Sequence, residues 1–268
     1  MTRAVRYLLL VLIALPVIGS ASVLGFGLIF ESKAAKTRFL HDDCHKVWSH
    51  RGNTGRFPEN SLEGYRDAVA AGAAGLELDI WFDEALGDFV VSHDRPYALF
   101  DGKPLRLSRV FAEFGPRTQY WLDFKNLETL APGARGAALR RMDEITASSA
   151  VRTRVLIESP ALPALAPFTQ AGFFTSYWIS FNENLGRLSF HREVARLRWA
   201  YLRGDFSALS MEYGIYSEAL RRNFLGVPFL LFTVNDLATL DRLTGDPAVR
   251  IVLTDEPGFL RLDTACSP

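Results

Sequence analysis

The stretch that decides the fold is GLELDIWF, residues 75–82, which is followed closely by FVVS, residues 89–92. Apolar residues alternate with Glu77 and Asp79 in the first run, and this period of two predicts a β-strand. The intervening residues are too few for a helical crossover, which needs about a dozen residues. The two runs therefore predict a local hairpin with Gly87 in its turn.

Outward from this hairpin, short apolar runs alternate with helical patterns along the chain. The strand-like runs cover residues 46–50, 75–82, 89–92, 119–124, 155–158, 173–179, 208–211, 228–234 and 250–253. The clearest helical pattern is 60–71, where Asn60 and Glu63 predict a capping box. Alternation of strands and helices indicates a parallel sheet, and 268 residues suit one α/β barrel. We predict an irregular (β/α)8 TIM-type barrel, preceded by one N-terminal transmembrane helix.

The N-terminal segment differs in composition from the rest of the chain. Residues 7–30 contain no charged side chain, and that length as a helix spans a bilayer core of about 30 Å. We expect a single-pass membrane anchor over residues 1–30, a linker over 31–45 and the barrel over 46–268, with the barrel on the periplasmic side. The alternative is a signal peptide, cleaved near Gly19-Ser20-Ala21, and a secreted domain.

The charge balance argues against a nucleic-acid partner. Lys and Arg number 30, and Asp and Glu also number 30, so the chain has no net positive field. The two cysteines, Cys44 and Cys266, lack the spacing of a zinc site. The first precedes the first strand and the second follows the last helical stretch, so both belong at the N-terminal rim of a closed barrel. We predict a disulfide between them if the domain lies outside the cytoplasm.

Acidic residues on two strands predict a metal site. Glu77 and Asp79 point to one face of their strand, and Asp123 lies in the run YWLDFKN, residues 120–126. Carboxylates that share a face of a buried strand repel each other and lose hydration, and a divalent cation relieves both costs. Oxygen ligands suit Mg²⁺ or Ca²⁺.

Two histidines, His50 and His93, end strand-like runs, and strand C-termini face the active site in α/β barrels. A pair of histidines suits proton transfer near neutral pH, with one as acid and the other as base. Arg51 and Lys125 are candidate contacts for phosphate oxygens. The alternative for Lys125 is a buried ion pair with Asp123.

At these residues the chain resembles the glycerophosphodiester phosphodiesterase family. The motifs appear in the family's order as His50-Arg51-Gly52, Pro58-Glu59-Asn60-Ser61, Glu77-Leu78-Asp79, His93-Asp94, Asp123-Phe124-Lys125, Phe232-Thr233-Val234-Asn235 and Thr254-Asp255. The resemblance implies a TIM barrel with one divalent cation. It also implies that Glu77, Asp79 and Asp123 bind the metal and that His50 and His93 are the acid and base. The implied substrate is a small-molecule or lipid phosphodiester.

The chain departs from the family's pattern at three places. Asp123 stands where the family has Glu, Phe232 stands where it has Trp, and the insertion that follows the His-Asp pair is absent. These departures leave two alternatives open. One is a weakly active or inactive barrel that binds a phosphorylated headgroup, and the other is an enzyme like the phosphatidylinositol-specific phospholipases C.

Overall fold

The computed structural model describes residues 25–37, 39–40 and 44–262. Contacts divide the chain into two compact units, residues 1–37 and residues 38–268. In the first unit, residues 25–34 are helical and are labelled α1. Within the described ranges, no helix is long and apolar enough to cross a membrane. The predicted anchor, residues 1–30, lies outside the described residues except for 25–30.

The second unit is an α/β barrel. Its strands are β1 Val47–Ser49, β2 Gly75–Asp83, β3 Asp88–Val91, β4 Leu99–Phe100, β5 Lys103–Pro104, β6 Gln119–Phe124, β7 Val155–Ser159, β8 Phe174–Trp178, β9 Ala208–Glu212, β10 Phe229–Phe232 and β11 Val249–Thr254. Its helices are α2 Leu62–Ala70, α3 Leu107–Phe114, α4 Pro132–Ser148, α5 Leu162–Gln170, α6 Arg187–Arg203, α7 Glu218–Asn223 and α8 Leu237–Thr244. All nine predicted strands are confirmed, and the short β4–β5 ribbon was not predicted.

Eight parallel strands close the barrel in the order β1-β2-β6-β7-β8-β9-β10-β11. The barrel closes because β1 pairs in parallel with two strands. Val47 of β1 pairs with Val252 of β11. Ser49 of β1 pairs with Leu76 of β2. The ninth strand, β3, is antiparallel to the second half of β2. Gly87 lies in the connecting turn with φ of +59°, a conformation that glycine adopts without strain. The predicted hairpin is confirmed, and it makes the barrel irregular.

The barrel interior is packed with apolar side chains. One buried cluster draws on six strands and consists of Trp48, Trp121, Leu156, Ala208, Leu230, Ile251 and Leu253. Because its members come from strands on all sides, the cluster fills the lumen, as in other α/β barrels. Gly75 makes room for Trp48, since a Cβ at that position would lie 2.2 Å from the indole ring. This floor of packed side chains supports the polar residues at the C-terminal strand ends.

The first barrel helix begins later than the sequence predicted. Ser61 is the N-cap of α2, and its Oγ accepts a hydrogen bond of 3.0 Å from the Gly64 amide. Asn60 precedes the cap with φ of +55°, in the left-handed region. The predicted capping box of Asn60 and Glu63 is therefore wrong. The reason is that the Asn60 side chain makes tertiary hydrogen bonds instead.

The chain returns to the N-terminal end of the barrel after β11, as predicted, but in a 3₁₀ helix, Pro257–Arg261, and not in an α-helix. Arg261 Nε donates a hydrogen bond of 2.9 Å to the carbonyl of Ala71, just beyond the end of α2. Cys44 is disulfide-bonded. Cys266, its predicted partner, lies outside the described residues.

Candidate active site

Three carboxylates converge at the C-terminal ends of β2 and β6. Asp79 and Asp123 are paired neighbours in the register of the two strands, and Glu77 lies two residues before Asp79 on the same face. One ligand oxygen from each of the three lies within 4.8 Å of the others. All three are buried, at 2%, 0% and 8% exposure. The sequence prediction that these residues share one face and come together is confirmed.

The electrostatics of the carboxylate cluster fit a cation. Burial, followed by the charges of Asp79 and Asp123, raises the pKa of Glu77 well above its ordinary value. Burial also raises the pKa of Asp123, and the charge of Asp79 adds to the effect, although Lys125 opposes it. Glu77 and Asp123 are thus costly to ionise at this site. Three hard oxygen donors in this state match the ligand preference of Mg²⁺ and Ca²⁺.

Lys125 and Arg51 bring positive charge to the carboxylate cluster. Lys125 Nζ lies 2.6 Å from Asp123 Oδ2 and 2.7 Å from Asp79 Oδ1. Arg51 Nε lies 3.0 Å from Asp79 Oδ2. Burial alone would lower the pKa of Lys125, but the charges of Asp123 and Asp79 outweigh it and raise that pKa. The structure therefore places both predicted phosphate contacts at the cluster, where they form ion pairs with the carboxylates.

The His-Arg-Gly turn orients Glu77 through its backbone. The Arg51 amide donates a hydrogen bond of 2.9 Å to Glu77 Oε2, with Arg51 at a φ of +53°. Gly52 follows with φ of +64°, and a Cβ there would lie 2.6 Å from the Tyr65 ring. Glycine is thus required at Gly52 both for its backbone conformation and for the close approach of α2.

Asn60 lies at the carboxylate cluster, whereas the sequence analysis assigned it to a helix cap. Its Nδ2 donates to Asp79 Oδ2 over 2.7 Å, while its Oδ1 accepts from the Asp79 amide over 3.1 Å. Tyr65 Oη donates to the same Oδ1 over 2.8 Å. Asn60 therefore fixes the orientation of Asp79. The available signal was its position inside the Pro-Glu-Asn-Ser motif.

His50 lies at the end of β1 beside the cluster. Its Nδ1 is 2.9 Å from Asp255 Oδ1, and its Nε2 is 4.0 Å from Glu77 Oε2. Asp255 is itself held by Asn235 Nδ2 over 3.0 Å and by Asn53 Nδ2 over 3.3 Å. Burial raises the pKa of Asp255, but the hydrogen bonds from His50 and Asn235 outweigh it and lower that pKa. Because the carboxylate binds one ring nitrogen of His50, the second ring nitrogen is free to face the site.

His93 follows β3 and is more open to solvent than His50. Its side chain is 36% exposed, and its Nδ1 lies 3.1 Å from Asp94 Oδ2. The Trp81 indole donates to the carbonyl of Ser92 over 3.0 Å, which ties this strand end to β2. His93 is thus held beside the strand that carries Glu77 and Asp79.

Sequence reasoning missed a fourth buried carboxylate, Glu158. It lies on β7 in register with Asp123 and is 3% exposed. Burial, then the charge of Asp123, raises its pKa well above the ordinary value. Within the part of the chain that the structure describes, its Oε2 has no hydrogen-bond partner. The sequence carries one signal for it, an acidic residue at the end of an otherwise apolar strand.

Phe232, where the resembling family has Trp, packs in the upper lumen. Its ring makes edge contacts with Trp178 at 5.4 Å and with Trp121 at 6.2 Å between centroids. The aromatic ring therefore fills space beside the site without contributing an N–H donor. The shorter Asp123 still reaches the carboxylate cluster.

The chain is thus an α/β barrel with buried carboxylates and two histidines at its C-terminal end. Residues 50–103 match the model of the glycerophosphoryl diester phosphodiesterase family. The segment of this chain that matches contains His50, Glu77, Asp79 and His93. The chain thus resembles this family in sequence there, and in fold over most of its length.

Individual proteins show the same similarity. A glycerophosphodiester phosphodiesterase from Thermotoga maritima has a TM-score of 0.62 and 25% identity, with coverage of 83% of this chain and 100% of that one. A phosphodiesterase from Oleispira antarctica in complex with the product sn-glycerol-3-phosphate has a TM-score of 0.61 and 17% identity, with coverage of 83% and 98%. The uncharacterized protein YqiK of Bacillus subtilis strain 168 is 43% identical over 49 residues, which are 18% of this chain and 20% of that protein.

Proposed function

We propose that this chain is a metal-dependent phosphodiesterase that hydrolyses a glycerophosphodiester or the headgroup diester of a phospholipid. The observation that carries the proposal is the convergence of Glu77, Asp79 and Asp123 at the C-terminal end of a barrel. The match to the family model and the product complex of the Oleispira neighbour support the substrate class. We assign one divalent cation, Mg²⁺ or Ca²⁺, to these three side chains.

The remaining site residues take roles around the phosphate. Lewis-acid polarisation of a phosphoryl oxygen is the chemistry that a divalent cation supplies when bound at such a cluster. We assign His50 and His93 as the acid and base, with Asp255 orienting the His50 ring. Arg51 and Lys125 bring positive charge to the site, and we assign them to phosphate oxygens.

We propose that the barrel works outside the cytoplasm, held by the apolar segment 7–30 or released from it. The disulfide at Cys44 supports this placement, because such bonds persist in oxidising compartments. The partner class is then a small-molecule or lipid diester at a membrane surface, and nucleic acid is not expected.

A second candidate is a barrel that binds a phosphorylated headgroup without cleaving it. It is favoured by one observation: Lys125 already pairs with two of the three candidate ligands, Asp79 and Asp123. In this reading the ammonium replaces the cation and the carboxylates are structural.

Hydrolysis assays separate the two candidates. The full chain is assayed on bis-p-nitrophenyl phosphate, glycerophosphocholine and lysophosphatidylcholine, with Mg²⁺, with Ca²⁺ or with chelator. We expect cation-dependent hydrolysis of at least one ester. Replacement of either catalytic histidine, as His50→Ala or His93→Ala, should lower the rate by about a hundredfold or more, because general acid–base catalysis contributes that much. Absence of hydrolysis under every cation condition would favour the binding barrel.

A further inference from the structure

A cavity of about 460 Å³ opens at the N-terminal end of the barrel, opposite the carboxylate cluster. Its walls come from the segments that enter four neighbouring strands, β1, β2, β6 and β7. The lining residues are His45, Trp48, residues 72–74, Arg117, Gln119 and Arg154. The proposed catalytic chemistry uses none of them.

The cavity is cationic. Arg117 is exposed and Arg154 is half-buried, and neither guanidinium forms an ion pair with a described residue. No acidic side chain is among the eight described residues that line the cavity. Two unpaired guanidinium groups on one concave surface attract an oxyanion, and their planar donor sets suit a phosphoryl group.

Gln119 adds an uncompensated polar group to the cavity wall. Its side chain is only 7% exposed, and its Oε1 makes no hydrogen bond with any described residue. A buried amide oxygen without a partner costs free energy, and a ligand hydroxyl that donates to it would remove this cost. The cavity therefore offers donors for a phosphate and an acceptor for a hydroxyl.

The wall of the cavity is held in place before any ligand binds. The Trp48 indole donates a hydrogen bond of 2.9 Å to the carbonyl of His45. Trp48 in turn packs on Gly75, where a Cβ would lie 2.2 Å from the ring. A fixed wall lowers the ordering cost of binding.

We propose that the N-terminal end of the barrel binds a phosphorylated ligand that carries a free hydroxyl. Arg117 and Arg154 take the phosphoryl oxygens, and Gln119 accepts from the hydroxyl. A soluble polyol phosphate has this chemistry, and so does the headgroup of an anionic phosphatidylglycerol-type lipid. The assignment does not depend on the activity at the other end of the barrel.

Calorimetric titration of the full chain in chelator tests the site with defined probes. Glycerol 3-phosphate represents the soluble source, and dihexanoyl phosphatidylglycerol below its critical micelle concentration represents the lipid source. We expect saturable binding of one or both probes, and no binding of dihexanoyl phosphatidylcholine. Loss of the cavity arginines in Arg117→Gln/Arg154→Gln should weaken binding at least about tenfold, because a bidentate charged contact is removed from each side.

A matched variant controls for surface charge. Arg140→Gln/Arg192→Gln removes two exposed arginines outside the cavity and should bind like the wild type. A second variant, Gln119→Leu, should weaken the binding of glycerol 3-phosphate. It should leave the binding of methyl phosphate unchanged, because the dianion of methyl phosphate has no free hydroxyl. The proposal is overturned if neither probe binds the wild type. It is overturned as well if the two double arginine variants bind the probes with equal affinity. It is also overturned if Gln119→Leu affects both phosphates alike.

Discussion

At the scale of single residues, the carboxylate cluster is a balance of buried charges. Glu77, Asp79 and Asp123 repel one another, while Lys125 and Arg51 compensate part of that repulsion. Removing one partner from such a network leaves an uncompensated buried charge, and this costs more than the pair itself contributes. Conservative substitutions are therefore the informative ones at this site.

Asn60→Ala tests the orientation of Asp79. The variant removes the donor that holds Asp79 Oδ2 and the acceptor of the Tyr65 hydroxyl. We expect the free energy of unfolding to fall by about 1–3 kcal/mol, because buried partners lose their hydrogen bonds. We also expect cation affinity or hydrolysis to drop about 10–100-fold, as for other groups that orient metal ligands. The control is Asn184→Ala in the exposed 3₁₀ helix Glu183–Leu185, and equal effects of the two variants would contradict the assignment.

Glu158→Gln tests the buried fourth carboxylate through pH. The pKa of Glu158 is raised in the folded state, so the unfolded chain ionises first as pH rises. Between the two pKa values the folded state binds more protons, and the free energy of unfolding falls with rising pH. The glutamine variant lacks this loss, so in chelator it should be more stable than wild type at pH 8 by a larger margin than at pH 5. Urea unfolding at both pH values measures this difference in stability. A difference that does not change with pH would contradict the prediction.

At the scale of elements, the strands could be predicted because the periodicity of their apolar residues is a local property of the sequence. The β2–β3 hairpin could be predicted because few residues separate the two strands. The start of α2 could not, since both Asn60 and Ser61 are good N-caps and a tertiary bond to Asp79 decides between them. The same limit applies to Glu158 and Asp255. Their roles depend on neighbouring strands, which the sequence does not place side by side.

Gly75→Ala tests the packing of β2 against β1. The added Cβ would meet the buried Trp48 ring at 2.2 Å, so the strand or the indole must shift. Overpacking of this kind costs about 1–3 kcal/mol of the free energy of unfolding. Gly133→Ala in α4 is the matched control, because no atom of the described residues lies within 4 Å of its Cβ position. Thermal and urea unfolding should show a loss only for Gly75→Ala, and a loss of equal size in both would contradict the packing argument.

At the scale of the whole molecule, closure of the barrel pairs its first strand, β1, with its last strand, β11. Cys44 is disulfide-bonded, and Cys44→Ser removes that cross-link. For the long loop that the predicted partner Cys266 would close, the chain-entropy model gives a loss of up to about 5 kcal/mol. We expect the wild type to melt at a lower temperature with reductant and the variant to melt independently of it. Identical melting of the oxidised wild type and the variant would show that the cross-link does not stabilise the barrel.

The barrel also separates two proposed sites, one at each end. The carboxylate cluster occupies the C-terminal end, and the cationic cavity occupies the N-terminal end. The packed lumen of Trp48, Trp121 and their neighbours lies between them. Variants at one end should therefore leave the other end's binding unchanged, since distant sites without shared partners act additively.

The central claim is that one divalent cation at Glu77, Asp79 and Asp123 supports phosphodiester hydrolysis. The most direct measurement is a titration of chelated full chain with Mg²⁺ or Ca²⁺ while hydrolysis of bis-p-nitrophenyl phosphate is followed, in wild type and in Glu77→Gln. We predict that activity returns with one-site saturation in the wild type. The folded variant should stay inactive over the same cation range. Equal, cation-independent hydrolysis by both proteins would contradict the account.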